Sequence, residues 1–194
     1  MKPDCSAESG ISRERALELM LQYLPQEAMR KHSLAAEAIM RALARRLGAD
    51  EDVWGMAGLL HDLDYNETRE CMSRHGLETE RILTERTVAP EIIQAIKAHN
   101  ADNLGFVRST EFEHALVCAE CITGLIVATT LVYPEKKIAG VKAASIIKRM
   151  KQKEFARSVN RDHIRECEKI GISLEEFAVL SLSAMTQIAP ELGL

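Results

Sequence analysis

One apolar run, from Ala115 to Tyr133, limits the folds available to this chain more than any other feature of the sequence. As an α-helix rising about 1.5 Å per residue, the run is long enough to cross a lipid bilayer. It contains Glu120, however, and no second run of this kind accompanies it. Because an ionised carboxylate is costly in hydrocarbon, we predict the buried central helix of a globular protein rather than a membrane span.

The remaining sequence favours helix from end to end. The chain has 194 residues, of which only ten are glycine and five are proline, and 46% are hydrophobic. Apolar residues recur every three or four positions, and no alternating strand pattern, repeat or linker is present. We predict an all-α fold in one helical domain over residues 11–194, with a motif-bearing core at about 26–131, C-terminal helices at 136–192 and a frayed N-terminus at 1–10.

Local signals place the helix ends and the loops. Ser12, Asp50 and Thr110 stand where a helix cap is expected, because their side-chain oxygens can accept from free backbone amides. Polar residues without helical periodicity predict loops, and a basic amphipathic run and a glycine-divided tail predict the last helices. We expect loops at 64–74 and 101–108, a helical stretch at 136–153, and final helices at about 161–170 and 173–192.

Composition argues against several classes of partner. A net charge of −4 gives no reason to expect nucleic acid. The five cysteines are odd in number and irregularly spaced, which is typical of reduced thiols in the cytoplasm. The first residues, Met1–Cys5, lack the apolar core of a signal peptide. We therefore expect a cytoplasmic monomer or homodimer without nucleic-acid or membrane partners.

The candidate site centres on the doublet His61-Asp62, an imidazole and a carboxylate side by side at the end of an apolar helix. His32, His61 and His99 fall on the apolar faces of three predicted helices, and Glu120 lies inside the central one. A single inward histidine is usually a hydrogen-bonded core residue, but several of them with buried carboxylates would be satisfied together by a cation. Six side chains are therefore candidate ligands of one or two divalent ions (Fe, Mn, Zn, Ni, Co or Mg): His32, His61, Asp62, His75, His99 and Glu120.

Weaker signals surround these six residues, and each has an ordinary structural explanation as well. Asp64 could orient a ligating histidine or simply enter a loop. Cationic and amide side chains near the histidines could meet a phosphate or face solvent; they are Arg69, Arg74, Lys97 and Asn100. Cys118 and Cys121 form a C-x-x-C pattern, but inside an apolar helix we interpret them as packing thiols. We interpret His114 and His163 as structural or surface residues.

The order of these elements resembles the HD-domain superfamily of metal-dependent phosphohydrolases, in particular its small stand-alone bacterial members of the HDIG type. The resemblance covers about Ala16 to Ala128. The His-Asp doublet alone is a weak signal, but four further elements occur in the right order and spacing. The matching stretches are Lys31-His32-Ser33-Leu34, Gly58-Leu59-Leu60-His61-Asp62-Leu63-Asp64-Tyr65, Arg74-His75-Gly76-Leu77, Ala95-Ile96-Lys97-Ala98-His99-Asn100 and Glu120-Cys121-Ile122-Thr123-Gly124-Leu125-Ile126.

This resemblance implies a helical bundle with a metal site between its helices. It implies the following ligands: His32, His61, Asp62 and Glu120 for one ion, and His75 and His99 with a bridging Asp62 for a second. Asp62 and His61 would form the catalytic hub. The family has Asp where this chain has Glu120, and we expect the longer side chain still to reach the ion.

Three functions fit these residues. The resemblance implies a phosphohydrolase that attacks a small phosphorylated metabolite or nucleotide with a metal-activated hydroxide. Some proteins that resemble this superfamily use the same ligands in a di-iron oxygenase. The departure at Glu120 would instead suit a non-catalytic nucleotide-binding or regulatory module. No glycine-rich phosphate loop or aromatic cluster identifies a substrate, and we expect its pocket in the loops around 66–74 and 101–108.

Overall fold

The computed structural model describes residues 9–194, and every regular element in that range is helical. From Arg13 onward the α-helices are α1 (Arg13–Tyr23), α2 (Glu27–Leu47), α3 (Glu51–Leu60), α4 (Tyr65–Thr68), α5 (Leu77–Thr84), α6 (Pro90–His99), α7 (Ala101–Leu104), α8 (Glu111–Leu131), α9 (Ala143–Met150), α10 (Arg161–Ile164), α11 (Leu174–Gln187) and α12 (Ala189–Leu192). Two 3₁₀ helices, Ile138–Gly140 and Arg165–Ile170, join the C-terminal elements. The prediction of an all-α fold is confirmed.

The helix α8 lies at the centre of the bundle, as the apolar run predicts. It packs against α2, α3, α6, α9, α10 and α11, and Leu116, Leu125 and Ile126 are fully buried. A capping box starts this helix, since Thr110 Oγ1 accepts from the Glu113 amide and the Glu113 carboxylate accepts from the Thr110 amide. Its length and composition would allow it to cross a membrane, but 61% of its apolar 18-residue window is buried inside the protein. That burial favours a core helix.

The helices α2 and α3 approach each other closely at Gly58. A Cβ atom at this position would lie 2.8 Å from the carbonyl group of Ala36 and from the backbone nitrogen of Glu37, so a larger residue would force the helices apart. Gly48, with a φ of 74°, ends α2 in the left-handed conformation. Asp50 caps α3 through its side chain, as predicted. This packing brings the end of α3 against the middle of α2, where the candidate ligands lie.

Two predicted loops contain short helices. Within 64–74, the amide of Thr68 donates to the carbonyl of Asp64 and closes the turn of α4. Within 101–108, the amide of Gly105 donates to the carbonyl of Ala101 and closes α7. Each helix is a single turn of largely polar sequence, which is too short for a hydrophobic period to reveal.

The C-terminal third is more broken than predicted. The stretch 136–153 holds a 3₁₀ turn and the shorter α9 instead of one helical run, since Gly140 favours helix poorly. The stretch 161–170 changes from α10 to a 3₁₀ helix. The stretch 173–192 is divided into α11 and α12 near Pro190, which lacks the amide that would continue α11.

The frayed segment 1–10 stays a prediction, since the structure describes only residues 9 and 10 of it. Residues 1–8 of the expected frayed segment lie outside the described part of the chain. Ser9 is buried, and its carbonyl accepts from the amide of Ala89 at 3.0 Å. Ser12 then caps α1 by accepting from the amide of Arg15, as predicted.

Candidate metal centre

Six side chains from separate parts of the bundle converge on one place. They are His32 on α2, His61 and Asp62 directly after α3, His75 before α5, His99 at the end of α6, and Glu120 on α8. All but the buried His61 line a single cavity of about 530 Å³. The structure therefore brings together the six residues that the sequence singles out as candidate ligands.

His32 and His61 form the first pair, with 3.1 Å between their Nε2 atoms. The hydroxyl of Thr123 donates to the carbonyl of Glu120 at 2.7 Å, so it accepts from His32 Nδ1 at 2.8 Å. His61 Nδ1 donates to the carbonyl of Gly58 at 2.8 Å. These bonds keep a proton on each Nδ1 atom and turn the two Nε2 atoms towards each other.

His75 and His99 form the second pair, with 2.9 Å between their Nε2 atoms. His99 Nδ1 donates to the carbonyl of Ile96, one turn earlier on α6. His75 Nδ1 donates to Asp64 Oδ1 at 2.8 Å. The second pair thus repeats the arrangement of the first, with each Nδ1 atom hydrogen-bonded and each Nε2 atom turned towards the centre.

Asp64 is buried and holds His75 in place. Its Oδ2 accepts from the backbone amides of Gly76 at 2.8 Å and Thr79 at 3.0 Å. Burial alone would raise the pKa of the Asp64 carboxyl, but the hydrogen bond from His75 and the two amides lower it. Of the two alternatives for this residue, the structure favours the carboxylate that orients a histidine.

Asp62 lies between the two pairs. Its Oδ2 is 3.3 Å from His61 Nε2 and 3.5 Å from His32 Nε2, and its Oδ1 is 3.2 Å from His75 Nε2 and 3.7 Å from His99 Nε2. Two imidazole nitrogens that face each other at about 3 Å repel unless a proton or a metal cation lies between them. Ligands of one cation at about 2.0–2.1 Å lie about 3.0–3.4 Å apart, close to the observed distances. The donor set therefore fits one divalent ion at each pair, with Asp62 in the position of a bridge.

Burial and neighbouring charge decide the protonation of these side chains. Burial, and then the charge of a neighbouring histidine, lowers the pKa of His32 to about 4 and that of His99 to about 3. Burial also opposes a charge on His75, but its bonds to Asp62 and Asp64 prevail and raise its pKa to about 9. Burial opposes the charge of Asp62 as well, yet the adjacent histidines hold its pKa well below the usual range. A cation at the second pair would replace the proton of His75.

Glu120 stands at the edge of the first pair. Its Oε2 is 4.0 Å from His32 Nε2, and its Oε1 accepts from the thiol of Cys121 at 2.9 Å. Burial raises the pKa of the Glu120 carboxyl. One oxygen of the Glu120 carboxylate therefore faces the first pair, and the other bonds to Cys121. The role of Glu120 as a metal ligand stays a prediction.

The three cationic side chains that are candidates for a phosphate contact lie outside the cavity. Arg69, Arg74 and Lys97 are placed against glutamates at 3.6, 2.8 and 2.9 Å, and none of them lines the cavity. Asn100 does line the cavity, but its amide donates to two backbone carbonyls at 2.7 and 2.8 Å. This side chain braces the cavity wall, and the geometry gives no support to a phosphate contact by the other three.

The cavity wall also contains residues that no sequence motif assigns to a site. Cys121, His163 and the turn 158–160 line the cavity beside Glu120, whereas the sequence predicts a packing thiol at Cys121 and a structural or surface role for His163. No periodic pattern marks them, because His163 lies in a charged stretch beyond the matching motifs. Asn160 is a local sequence signal for this region, because its side chain caps α10, the short helix that carries His163.

Two other interpretations are confirmed. Cys118 is fully buried and donates to the carbonyl of Ala115 within α8, as a packing thiol does. His114 binds Glu166 at 2.6 Å and does not line the cavity, which is a structural role.

Among residues 9–194, no lysine or arginine lines the cavity. Its lining consists of Met29, His32, Asp62, Tyr65, Met72, His75, His99, Asn100, Asn103, Glu120, Cys121, Gly124, Ser158, Val159, Asn160 and His163. A somewhat larger cavity of about 590 Å³ lies between α2 and α11, and none of the histidines and cysteines in the described range lines it. A negatively charged ligand in the first cavity would therefore be neutralised by cations at the histidine pairs.

Comparison with known protein families gives a match over most of the chain. The family model of the HD domain matches residues 29–176, a range that contains all six side chains of the candidate centre and also His163. Searches of curated proteins and of solved structures gave no significant match.

Proposed function

Because the chain belongs to the HD-domain family, we propose that it is a metal-dependent phosphohydrolase acting on a small phosphorylated metabolite or nucleotide. The observation that carries this proposal is the two pairs of facing Nε2 atoms, 3.1 and 2.9 Å apart, on either side of Asp62. The family belongs to a superfamily of metal-dependent phosphohydrolases, and the paired donors offer positions for two ions.

The chain's own residues would hold and orient the metal ions. The proposed ligands are His32, His61, Asp62 Oδ2 and Glu120 for one ion, and His75, His99 and Asp62 Oδ1 for the other. When bound, divalent ions (Fe, Mn, Zn, Ni, Co or Mg) lower the pKa of water and offset the negative charge of phosphate oxygens. Asp62 and His61 are the proposed catalytic residues. Asp62 lies next to all four Nε2 atoms, and the carbonyl of Gly58 fixes the ring of His61.

The surrounding wall would position the substrate. The hydrogen bonds on the Nδ1 atoms keep the four rings fixed, so the phosphate would meet a rigid set of side chains. Met29, Met72 and Val159 provide apolar surface in the same cavity for the uncharged part of a substrate. We also propose that the protein is a monomer or homodimer in the cytoplasm; the free thiols of Cys71 and Cys121 are consistent with that compartment.

The test is phosphate release by purified protein that has been stripped with a chelator and reloaded with one metal at a time. At least one member of a panel of phosphorylated metabolites and nucleotides should be hydrolysed. His61→Gln should lower the rate by at least about 100-fold, because it removes a donor of the first pair. His114→Gln, at a histidine outside the cavity, should keep the rate. No turnover by fully metal-loaded protein across the panel would overturn the proposal, and nucleotide binding without turnover would point to a regulatory module.

A di-iron oxygenase is the second candidate, and one observation favours it. Within the described part of the chain the cavity lining lacks lysine and arginine, and an uncharged substrate, unlike a phosphorylated one, needs no cationic side chain. Four imidazoles and two carboxylates are also suitable ligands for iron. Oxygen consumption by the iron-loaded protein would support this function, whereas turnover with Mg²⁺ or Zn²⁺ would exclude it because neither ion changes its oxidation state.

A further inference from the structure

A second group of metal-binding side chains lies on the cavity wall beside the four histidines. Glu120, Cys121 and His163 each offer one ligand atom, and these atoms all lie within 4.8 Å of one another. The three side chains line the cavity, so an ion could reach them from solvent. Cys121 and His163 have no part in the proposed phosphohydrolase centre, and this group therefore needs a separate explanation.

His163 is oriented as metal-binding histidines usually are. Its Nε2 donates to Asp102 Oδ2 at 2.6 Å, and its Nδ1 lies 3.7 Å from Cys121 Sγ. A carboxylate behind one ring nitrogen fixes the tautomer and makes the other nitrogen a better donor to a cation. The lone pair of Nδ1 is thereby presented to the thiol of Cys121.

A neighbouring positive charge does not block this group. Arg108 Nη2 lies 3.4 Å from His163 Nε2, which is the ring nitrogen opposite to the one that faces Cys121. The guanidinium group of Arg108 is paired with Asp102 at 3.0 Å and with Glu166 at 3.0 Å. The two carboxylates balance its charge, so repulsion of a cation on the other side of the ring is weak.

Glu120 supplies negative charge to the same position. Its Oε1 accepts from the Cys121 thiol at 2.9 Å, while its Oε2 points to the first histidine pair. A Zn²⁺ ion with Zn–S of about 2.3 Å and Zn–N of about 2.0–2.1 Å holds S and N about 3.5 Å apart in a tetrahedral site. The observed distance of 3.7 Å between Cys121 Sγ and His163 Nδ1 is close to this value.

We propose that Glu120, Cys121 and His163 bind a thiophilic divalent cation of the Zn²⁺ class, at a site distinct from the four-histidine centre. The Cys121 thiol gives its proton to solvent when the ion binds, and the thiolate is the ligand that sets the metal preference. Glu120 is shared by the two sites through its two oxygens. Cys121 and His163 belong to this site alone, so their loss can be separated from a loss at the four histidines.

Cobalt titration of the full-length, chelator-treated protein tests this site. Co²⁺ is a spectroscopic probe for Zn²⁺, and a thiolate ligand gives a sulfur-to-cobalt charge-transfer absorption. We expect this absorption in the wild type and its displacement by Zn²⁺. Cys121→Ser should abolish it and remove one bound ion by elemental analysis, whereas Cys71→Ser, at an exposed cysteine, should leave both unchanged.

Two further variants separate this site from the four-histidine centre. His163→Gln should raise the dissociation constant of the ion at least about tenfold, which provides a second measurement if Cys121→Ser folds poorly. His99→Gln should lose an ion of the four-histidine centre and keep the charge-transfer absorption. The proposal is overturned if the wild type shows no such absorption, if the absorption survives Cys121→Ser, or if it disappears with His99→Gln.

Discussion

Each histidine of the candidate centre depends on the acceptor behind its Nδ1 atom. A carbonyl or hydroxyl oxygen serves His32, His61 and His99, whereas the acceptor behind His75 is the carboxylate of Asp64. A carboxylate partner makes an imidazole more basic than a carbonyl does and holds its orientation more firmly. The affinity of the second pair for a metal ion should therefore be unusually sensitive to this one buried carboxylate.

Asp64→Asn should weaken the second ion by about 10- to 100-fold and leave the first ion less affected. The amide has the shape of the carboxylate but lacks its charge. Competition with a chelator of known affinity measures both ions, and the melting temperature reports any loss of the bonds to Gly76 and Thr79. Asp102→Asn is the matched control, since it removes the same charge behind His163 and should leave the four-histidine centre intact. Equal affinities in Asp64→Asn and the wild type would contradict this account of His75.

The helices carry the ligands to one another, and the contact between α2 and α3 is the most demanding. Gly58→Ala would place a Cβ atom 2.8 Å from backbone atoms of Ala36 and Glu37. Backbone cannot rotate away as a side chain can, so the helices must separate, at a cost of about 1–3 kcal/mol in the free energy of unfolding. The separation would also widen the pair formed by His32 and His61 and weaken metal binding there.

Urea denaturation checks the loss of stability in Gly58→Ala, and metal titration checks the first pair. Gly140→Ala is the control, because no atom lies within 4 Å of the added Cβ and the glycine is exposed. If both variants had the same denaturation midpoint, the close approach at Gly58 would not be a constraint on the fold.

The 3₁₀ helix Arg165–Ile170 is held to the bundle by an ionic contact that depends on pH. Glu166 accepts from His114 Nδ1 at 2.6 Å and from Arg108 Nε at 3.0 Å. Burial would raise the pKa of the Glu166 carboxyl, but these two partners lower it below the ordinary value of 4.5. The contact therefore stabilises the fold fully above pH 4.5, and this stabilisation is lost as the pH falls through the lowered pKa.

Glu166→Gln should reduce the free energy of unfolding by about 1–3 kcal/mol at pH 7, because it leaves Arg108 buried with one charged partner fewer. The difference from the wild type should shrink as the pH falls below 4.5. Glu168→Gln removes an exposed carboxylate from the same helix and should change stability by less than about 1 kcal/mol. Denaturation curves at a series of pH values measure both; a difference that stays constant down to strong acid would contradict the assigned charge.

The sequence predicts the elements that obey a local rule and misses those that packing decides. The apolar run predicts α8, and capping side chains predict the starts of α1 and α3, since both signals act within a few residues. The inward faces of the helices also place His32, His61 and His99 correctly. The turn 158–160 and His163 reach the cavity because Glu166, through its bonds to Arg108 and His114, holds the C-terminal segment to the bundle. Such long-range contacts leave no periodic pattern.

The whole molecule presents a cavity whose negative side chains have few positive neighbours. The chain has a net charge of −4, and Asp62 and Glu120 line the cavity while no lysine or arginine does so in the described range 9–194. In protein loaded only at the four-histidine centre, two metal ions would balance these carboxylates and one phosphate group. Every additional phosphate would add negative charge with no cationic side chain to meet it, at close range and in a poorly solvated space.

We therefore expect phosphomonoesters to be better substrates than the corresponding di- and triphosphates, by about tenfold or more in kcat/KM, which is about 1.4 kcal/mol of transition-state stabilisation. Phosphate release from matched nucleoside mono-, di- and triphosphates measures this preference. Asn103→Lys adds a positive charge to the cavity wall at an exposed position and should raise kcat/KM for the diphosphate more than for the monophosphate. Asn66→Lys adds the same charge outside the cavity and should leave the ratio unchanged. A wild-type preference for triphosphates would mean that positive charge reaches the substrate from a source other than the cavity wall and the two ions.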